Sequence, residues 1–357
     1  MLEGKDIVAI SIPFSAGVAL AAYLPPGEFS PYLAAALSCL AAAAFAVLYC
    51  GRGDRSLMCH AMFFCAGMLC GFTALVGIAP PAPHGGPAER ALEALTAVID
   101  RCGFRFDQTA PLVKALVTGQ REGLSPETNA AFQDSGAVHI LSLSGLHMGV
   151  IYGILHKSLA WAGRSRPAAV MKAALTIAAA GFFTAMTGAS PSVVRAFLFI
   201  LINEISRLLP GRRRRPLAVL CAALMIQLAA DPMIIRSLSF QLSYLAMLAI
   251  FTLFPVMESW YPESGRRDPF RKLWSAAALS ISCQLYTAPL AWWHFHTFPA
   301  YFLISNLVAL PISEVLIISS VITIAAEAAG ICPDMLKGLT DILAQALIKS
   351  LETVSSL

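Results

Sequence analysis

Gly123 to Leu155 reads GLSPETNAAFQDSGAVHILSLSGLHMGVIYGIL, and the two halves of this stretch obey different rules. The first half is polar. Ser125 can cap a helix, Pro126 fits its first position and Thr128 sits at the third. The second half is apolar enough to enter a bilayer, yet it carries His139, Ser142, Ser144 and His147 with it. Polar side chains at membrane depth are costly and face a cavity or a partner. On a straight helix His139, Ser144 and His147 fall within an arc of about 140°. Gly145 removes a side chain within the same turn, so the Ser-Gly pair is a site for a break or a close helix contact.

The surrounding chain has the composition of a membrane protein. Of its 357 residues, 57% are hydrophobic and only 13% charged, with a mean hydropathy of +0.70. Soluble domains run near a quarter charged. Apolar runs at 7–24, 31–50, 57–79, 137–157, 168–187, 190–208, 216–233, 237–257, 273–293, 300–328 and 336–355 predict an all-α polytopic protein. That is about eleven transmembrane or re-entrant helices, joined by interfacial amphipathic segments. Gly/Pro clusters separate the runs. The first run lacks a cleavage site and reads as an anchor. The nine cysteines form no CxxC pair and no metal-ligand spacing, and most lie in or beside apolar runs.

Basic residues fall in every second loop: Lys5, Arg52 and Arg55, Lys157 to Arg166, Arg207 with Arg212, Arg213, Arg214 and Arg215, Arg266 to Lys272, and Lys337. Arg236 is the main exception. The positive-inside rule then puts the N-terminus in the cytoplasm and residues 80–136 on the opposite face. Three parts follow: transmembrane helices over 1–79, an extracytoplasmic amphipathic connector over 80–124, and a transmembrane domain over 125–357. In the connector, Leu92, Leu95, Val98 and Ile99 recur at helical spacing, and Pro111 to Leu116 is a second short helical piece. The pair either lies on the bilayer or forms a collar around a pore entrance.

Further polar groups enter apolar runs downstream. In Thr187-Gly-Ala-Ser-Pro-Ser-Val-Val-Arg195, Ser190 can cap and Arg195 sits one turn into a helix. Ser237, Gln241 and Tyr244 share a face. Gln284 follows in 273–293, and Asn306, Pro311 and Glu314 in 300–328. Pro311 removes a backbone bond, so that run reads as a discontinuous or re-entrant element.

Four stretches together resemble the ComEC-type competence family of bacterial inner-membrane DNA-uptake channels. They are GLSPETNAAFQDSGAVHILSLSGLHMG, TGASPSVVRAF, DPMIIRSLSFQLSYLAMLAI and APLAWWHFHTFPAYFLISNLVALP, within residues 110–320. The resemblance implies a channel in the cytoplasmic membrane that passes single-stranded transforming DNA. It also implies a periplasmic DNA receptor, a cytoplasmic ATP-driven motor, and a nuclease supplied by a separate domain. The chain departs from the family in two places. Residues 80–120 are too few and too helical for the family's OB-fold domain, and no HxHxDH-type metal motif occurs, so neither nuclease activity nor any cofactor is expected of it.

A DNA path needs water and donors without strong permanent cation sites, because the polymer must leave as well as enter. His139, Ser142, Ser144, Gly145, His147, Arg195, Gln241, Gln284, Asn306 and Glu314 are the candidate lining, with Arg212 to Arg215 a cytoplasmic basic cluster that anchors to lipid or holds the emerging backbone. Trp292, Trp293, His294, Phe295, His296, Phe298 and Tyr301 read as an interfacial aromatic belt. Homo-oligomerisation is compatible with this reading. Three rivals stand beside it: a small-solute secondary transporter with a broken helix at Pro311, an intramembrane serine hydrolase using Ser144 and His147, and a metal site from His139, His147, His294 and His296.

Overall fold

The computed structural model describes residues 4–23, 55–75, 86–143, 145–163, 165–209, 215–262, 268–296 and 301–356, with isolated residues between 36 and 47. The run 31–50 therefore lies almost wholly outside the described residues, as do Ser144, Arg212, Arg213, Arg214 and Phe298. All regular structure among the described residues is helical. Among the described residues four helices are long and apolar enough to cross a membrane: Asp6–Tyr23, Leu57–Ala74, Arg166–Met186 and Phe302–Ala328. Pro87, Pro126, Pro167, Pro191, Pro216 and Pro269 each lie in a first helical turn, where a missing N–H costs nothing. The chain divides into two units, residues 1–82 with 198–248 and residues 83–197 with 249–357.

The first unit holds α1 (Gly4–Tyr23) and α2 (Arg55–Leu75). It also holds α10 (Pro216–Ala230), most of α9 (Pro191–Leu208) and most of α11 (Leu238–Thr252). α1 and α2 pack through glycines. A Cβ on Gly17 would strike the Phe64 carbonyl, one on Gly67 the Phe14 carbonyl, and one on Gly71 the Ala21 methyl. The seam is Gly17-xxx-Ala21 against Gly67-xxx-Gly71, the small-residue spacing that lets backbones touch in lipid. α10 lies on α1 and carries a buried Gln227, whose Oε1 accepts from the Tyr244 hydroxyl at 3.0 Å.

Arg236 ends the 3-10 turn Pro232–Arg236, donates to the Ala22 carbonyl and lies 5.5 Å from the Tyr23 ring centre. It completes the C-terminal end of α1, where carbonyls lack partners and a cation is favoured. The arginine that breaks the loop-charge alternation thus has a local structural task.

The second unit holds α3 (Pro87–Arg101), α4 (Thr109–Thr118), α5 (Pro126–Asp134), α6 (Val138–Leu141) and α7 (Gly145–Ser158). They are joined by α8 (Arg166–Met186), α12 (Phe254–Glu258), α13 (Pro269–Phe295), α14 (Phe302–Ala328) and α15 (Asp334–Ser355). Its core surrounds α4, in which Thr109, Leu112, Val113, Ala115, Leu116, Val117 and Thr118 are all buried. A helix buried all round is a core helix. Leu112 and Leu116 share one cluster with Leu316, Ile317, Ala344 and Leu347 of α14 and α15. Of the stretch 80–124 that the sequence sets apart as a connector, the described residues 86–124 belong to this unit. The apolar stripe of α3 turns Ile99 onto Val113, Val117 and Ile324, and a groove of about 410 Å³ opens between α3, α8 and α14.

Two local expectations are corrected. α14 runs unbroken through Pro311, whose ring is on the exposed side and whose preset φ fits the helix. The Ser190 side chain makes no cap. Its Oγ is buried without a hydrogen bond, while its carbonyl accepts from Val193 and Val194. The turn before it is closed instead by the backbone, with Gly188 and Ala189 both at positive φ (75° and 49°) and the Ala189 N–H on the Thr184 carbonyl at 2.9 Å.

Candidate substrate path at the helix break

The described residues of 123–155 fold as three helical pieces. Ser125 caps α5, accepting from the Thr128 N–H at 3.1 Å. Its own N–H donates to Gln108 Oε1 at 2.8 Å, which ties the cap to the start of α4. Gly136, at φ 75°, ends α5 and redirects the chain. α6 lasts four residues, and Ser142 then takes an extended conformation (φ −82°, ψ 130°) before α7 starts at Gly145. The common arc expected on a straight helix does not hold for His139 and His147, because the helix is interrupted between them, and Ser144 lies outside the described residues.

The interruption sorts the polar side chains. His139 and Ser142 are exposed. His139 Nδ1 lies 3.2 Å from the Gly136 carbonyl, and Ser142 Oγ donates to the His139 carbonyl at 2.7 Å. Leu143 turns inward against Gly119, whose φ of 83° and missing side chain make room for it. His147 is buried in the first turn of α7. Arg195, on the second turn of α9, is only 7% exposed. A Cβ on Gly145 would lie 3.3 Å from Arg195 Nη2. The guanidinium thus rests over the N-terminal turn of α7 where Gly145 leaves space.

This arrangement concentrates positive potential. The N-terminus of α7 carries partial positive charge and N–H groups without helical partners. Arg195 adds a full charge and sits near the N-terminal end of its own helix. Two helix N-termini and a planar guanidinium suit an anion with several oxygens.

The other candidate residues lie elsewhere. Ser305 donates to the Ser135 carbonyl at 2.7 Å and fixes the start of α14 beside the α5–α6 turn. The next residue, Asn306, has a buried Oδ1 with no hydrogen bond. Gln284 is half-buried on α13, and Glu314 is exposed on α14. Gln241 belongs to the first unit, where its Nε2 donates to the Ile235 carbonyl at 2.7 Å and to the Tyr23 hydroxyl at 3.3 Å. Arg215 is exposed at the start of α10. Trp292, Trp293 and Phe295 are exposed, as a belt at a membrane interface requires. Among the described residues no group of three His, Cys, Asp or Glu side chains could hold a metal ion.

The sequence reading missed the partnership of Gly145 with Arg195, which are 50 positions apart. Its visible signals were a glycine where a helix should start and an arginine one turn past a Ser-Pro.

Fold and site together define a protein that is helical throughout its described residues, with helices long and apolar enough to cross a membrane and a buried arginine set against a helix break. The family described as Competence protein matches residues 116–357, and the chain belongs to it. It is 26% identical over 200 residues to ComE operon protein 3 of Bacillus subtilis, covering 56% of this chain and 24% of that protein. The chain thus spans about a quarter of the length of that relative. No solved structure matches it.

Proposed function

We propose that this chain acts in competence as part of the cytoplasmic-membrane conduit through which single-stranded DNA enters the cell. The observation that carries this reading is the buried Arg195 guanidinium held over the first turn of α7 at Gly145. DNA presents one phosphate per nucleotide, and a passing phosphate finds here N–H donors and one fixed cation. Exposed His139 and Ser142 line the approach, and neutral Asn306 adds a donor and acceptor without holding the strand. The path thus binds phosphate in one place and releases it to neutral groups. Gln284 and Glu314 extend the same path, and the arginines at 212–215 hold nucleic acid or anionic lipid at the cytoplasmic face. In this reading the chain conducts and does not hydrolyse. A DNA receptor outside, an ATP-driven motor inside and a nuclease domain are its partners, and about eleven spans make up the full membrane part.

The test is transformation frequency in a deletion strain carrying Arg195→Gln or Arg195→Lys, with membrane levels of each protein measured alongside. Losing one charge-assisted hydrogen bond to phosphate lowers uptake about tenfold or more in Arg195→Gln. Arg195→Lys keeps the charge but not the fork and falls between. Normal transformation by Arg195→Gln at normal protein level sinks the proposal.

A further inference from the structure

The groove between α3, α8 and α14 sits where two long apolar helices end together. Its lining includes Met186, the last residue of α8, and Ala328, the last residue of α14. Both helices are long and apolar enough to cross a membrane, so their shared ends mark the depth at which acyl chains give way to headgroups. Every lining side chain is apolar, and the volume of about 410 Å³ falls within the range of small-ligand sites, about 300–1,000 Å³. Water is a poor occupant, because these side chains offer it no hydrogen bond.

α3 forms the third wall, and its charges are sorted around the groove. At about 100° per residue, Ala91, Ala94, Leu95 and Val98 fall within an arc of about 100°. On one flank of that arc Ile99 is buried against Val113, Val117 and Ile324, which closes the groove towards the core. On the other flank Arg90 and Arg101 lie about 20–40° beyond Ala94. Ala94, Arg90 and Arg101 are all exposed, so this flank is the open one. The two arginines stand about 16 Å apart along the helix, which makes the open flank positive over its whole length. Glu89, Glu93 and Asp100 gather about 150–170° from the middle of the arc, on the far side of the helix. Neither arginine belongs to an ion pair among the described residues, whereas Asp100 is held by Lys114 at 2.7 Å. α3 thus turns both of its cations and none of its carboxylates to the mouth of an apolar groove at headgroup depth.

We propose that this groove holds one acyl chain of an anionic phospholipid, with the phosphate on the flank that Arg90 and Arg101 define. The acyl chain covers apolar surface on three helices at once, and the phosphate answers the exposed cations. An amphipathic helix with a basic flank is suited to this place at a membrane surface. The bound lipid ties α3 to α8 and α14.

The experiment is native mass spectrometry of the full chain released from micelles holding equal amounts of phosphatidylglycerol and phosphatidylcholine. Wild-type protein retains phosphatidylglycerol in excess. Ala94→Trp fills the groove from an exposed position, and the excess disappears. Arg90→Gln combined with Arg101→Gln removes the charged contacts and lowers the excess about tenfold. Arg215→Gln, in the basic cluster of the first unit, keeps it. Equal retention of the two lipids by wild type overturns the proposal. So does an unchanged excess in Ala94→Trp or in the arginine pair, or an excess lost only in Arg215→Gln. Should Ala94→Trp fail to fold, the arginine pair decides, and an unchanged excess there overturns it.

Discussion

At Gly67 an added methyl group would run into the Phe14 carbonyl, whereas at Gly145 it would meet the Nη2 end of Arg195. The same missing atom serves a different purpose in the two regions. In the α1–α2 seam the obstacle is backbone on both sides, and neither helix can yield without losing the contact. At the α6–α7 break the obstacle is the tip of a flexible side chain. Small residues in the first case build the fold, and in the second they leave space for a charge. A substitution scan separates the two roles, because one set of glycines controls stability and the other controls what Arg195 can reach.

The largest effect is expected at the seam. Gly67→Leu forces α1 and α2 apart and costs about 3 kcal/mol or more, the upper range for overpacking a tight contact. Denaturant unfolding of the purified protein, or its level in membranes, reads this directly. Gly17→Leu behaves alike, since its Cβ meets the Phe64 carbonyl. A Gly67→Leu protein as stable as wild type would show that the seam does not hold α1 against α2.

Gly145→Ala comes next and acts on function. Its Cβ presses on Arg195 Nη2 from 3.3 Å, so the guanidinium shifts while the helix gains from alanine's better propensity. Stability changes by less than about 1 kcal/mol, and transformation falls in step with the displaced charge. Equal losses of stability at Gly145 and Gly67 would erase the distinction.

How much of this could be read in the sequence follows the range of each interaction. The Ser125 cap, Pro126 at the first position, the amphipathic α3 and the disturbance at Ser144-Gly145 are written within a few residues, and the first three appear as expected. The Gly67-xxx-Gly71 spacing was equally local, but its partner Gly17-xxx-Ala21 is 50 residues away, and only the pair makes a seam. Arg236 seemed an anomaly of loop charge until its contacts to Ala22 and Tyr23 appeared. Pro111 to Leu116 read as a short helical piece of the connector, lying on the bilayer or forming a collar, whereas α4 is a buried helix of the second unit. Nothing in its periodicity says that α14 and α15 close over it. The discontinuity expected at Pro311 was over-read, since the helix continues through it with the proline on an exposed face. Long-range partnerships thus account for most of what the pattern could not show.

Two smaller effects sharpen the contrast between dry and polar packing. Tyr244→Phe removes the donor to Gln227 Oε1, a buried acceptor in the first unit, and costs about 1 to 2 kcal/mol. Ser125→Ala removes the α5 cap in the second unit and costs about 1 kcal/mol. Both are measured by denaturant unfolding. A cost at Ser125 exceeding that at Tyr244 would mean that the half-buried cap matters more to the fold than the buried amide, against the burial order.

The smallest effect concerns Glu127, in the first turn of α5 and fully exposed. Its own backbone N–H, and then the Ser125 hydroxyl, hold its carboxyl below the usual 4.5. A carboxylate whose folded pKa is depressed contributes stability above its unfolded pKa and loses it as pH falls through the folded value. Wild type should therefore exceed Glu127→Gln in Tm above about pH 5, with the difference closing as the solution is acidified below 4.5. Ser125→Ala removes the second of the two hydrogen bonds, so in that background the difference should narrow at every pH. If it keeps its full size without Ser125, the backbone N–H and the helix N-terminus alone hold the charge, and the cap and the carboxylate act independently.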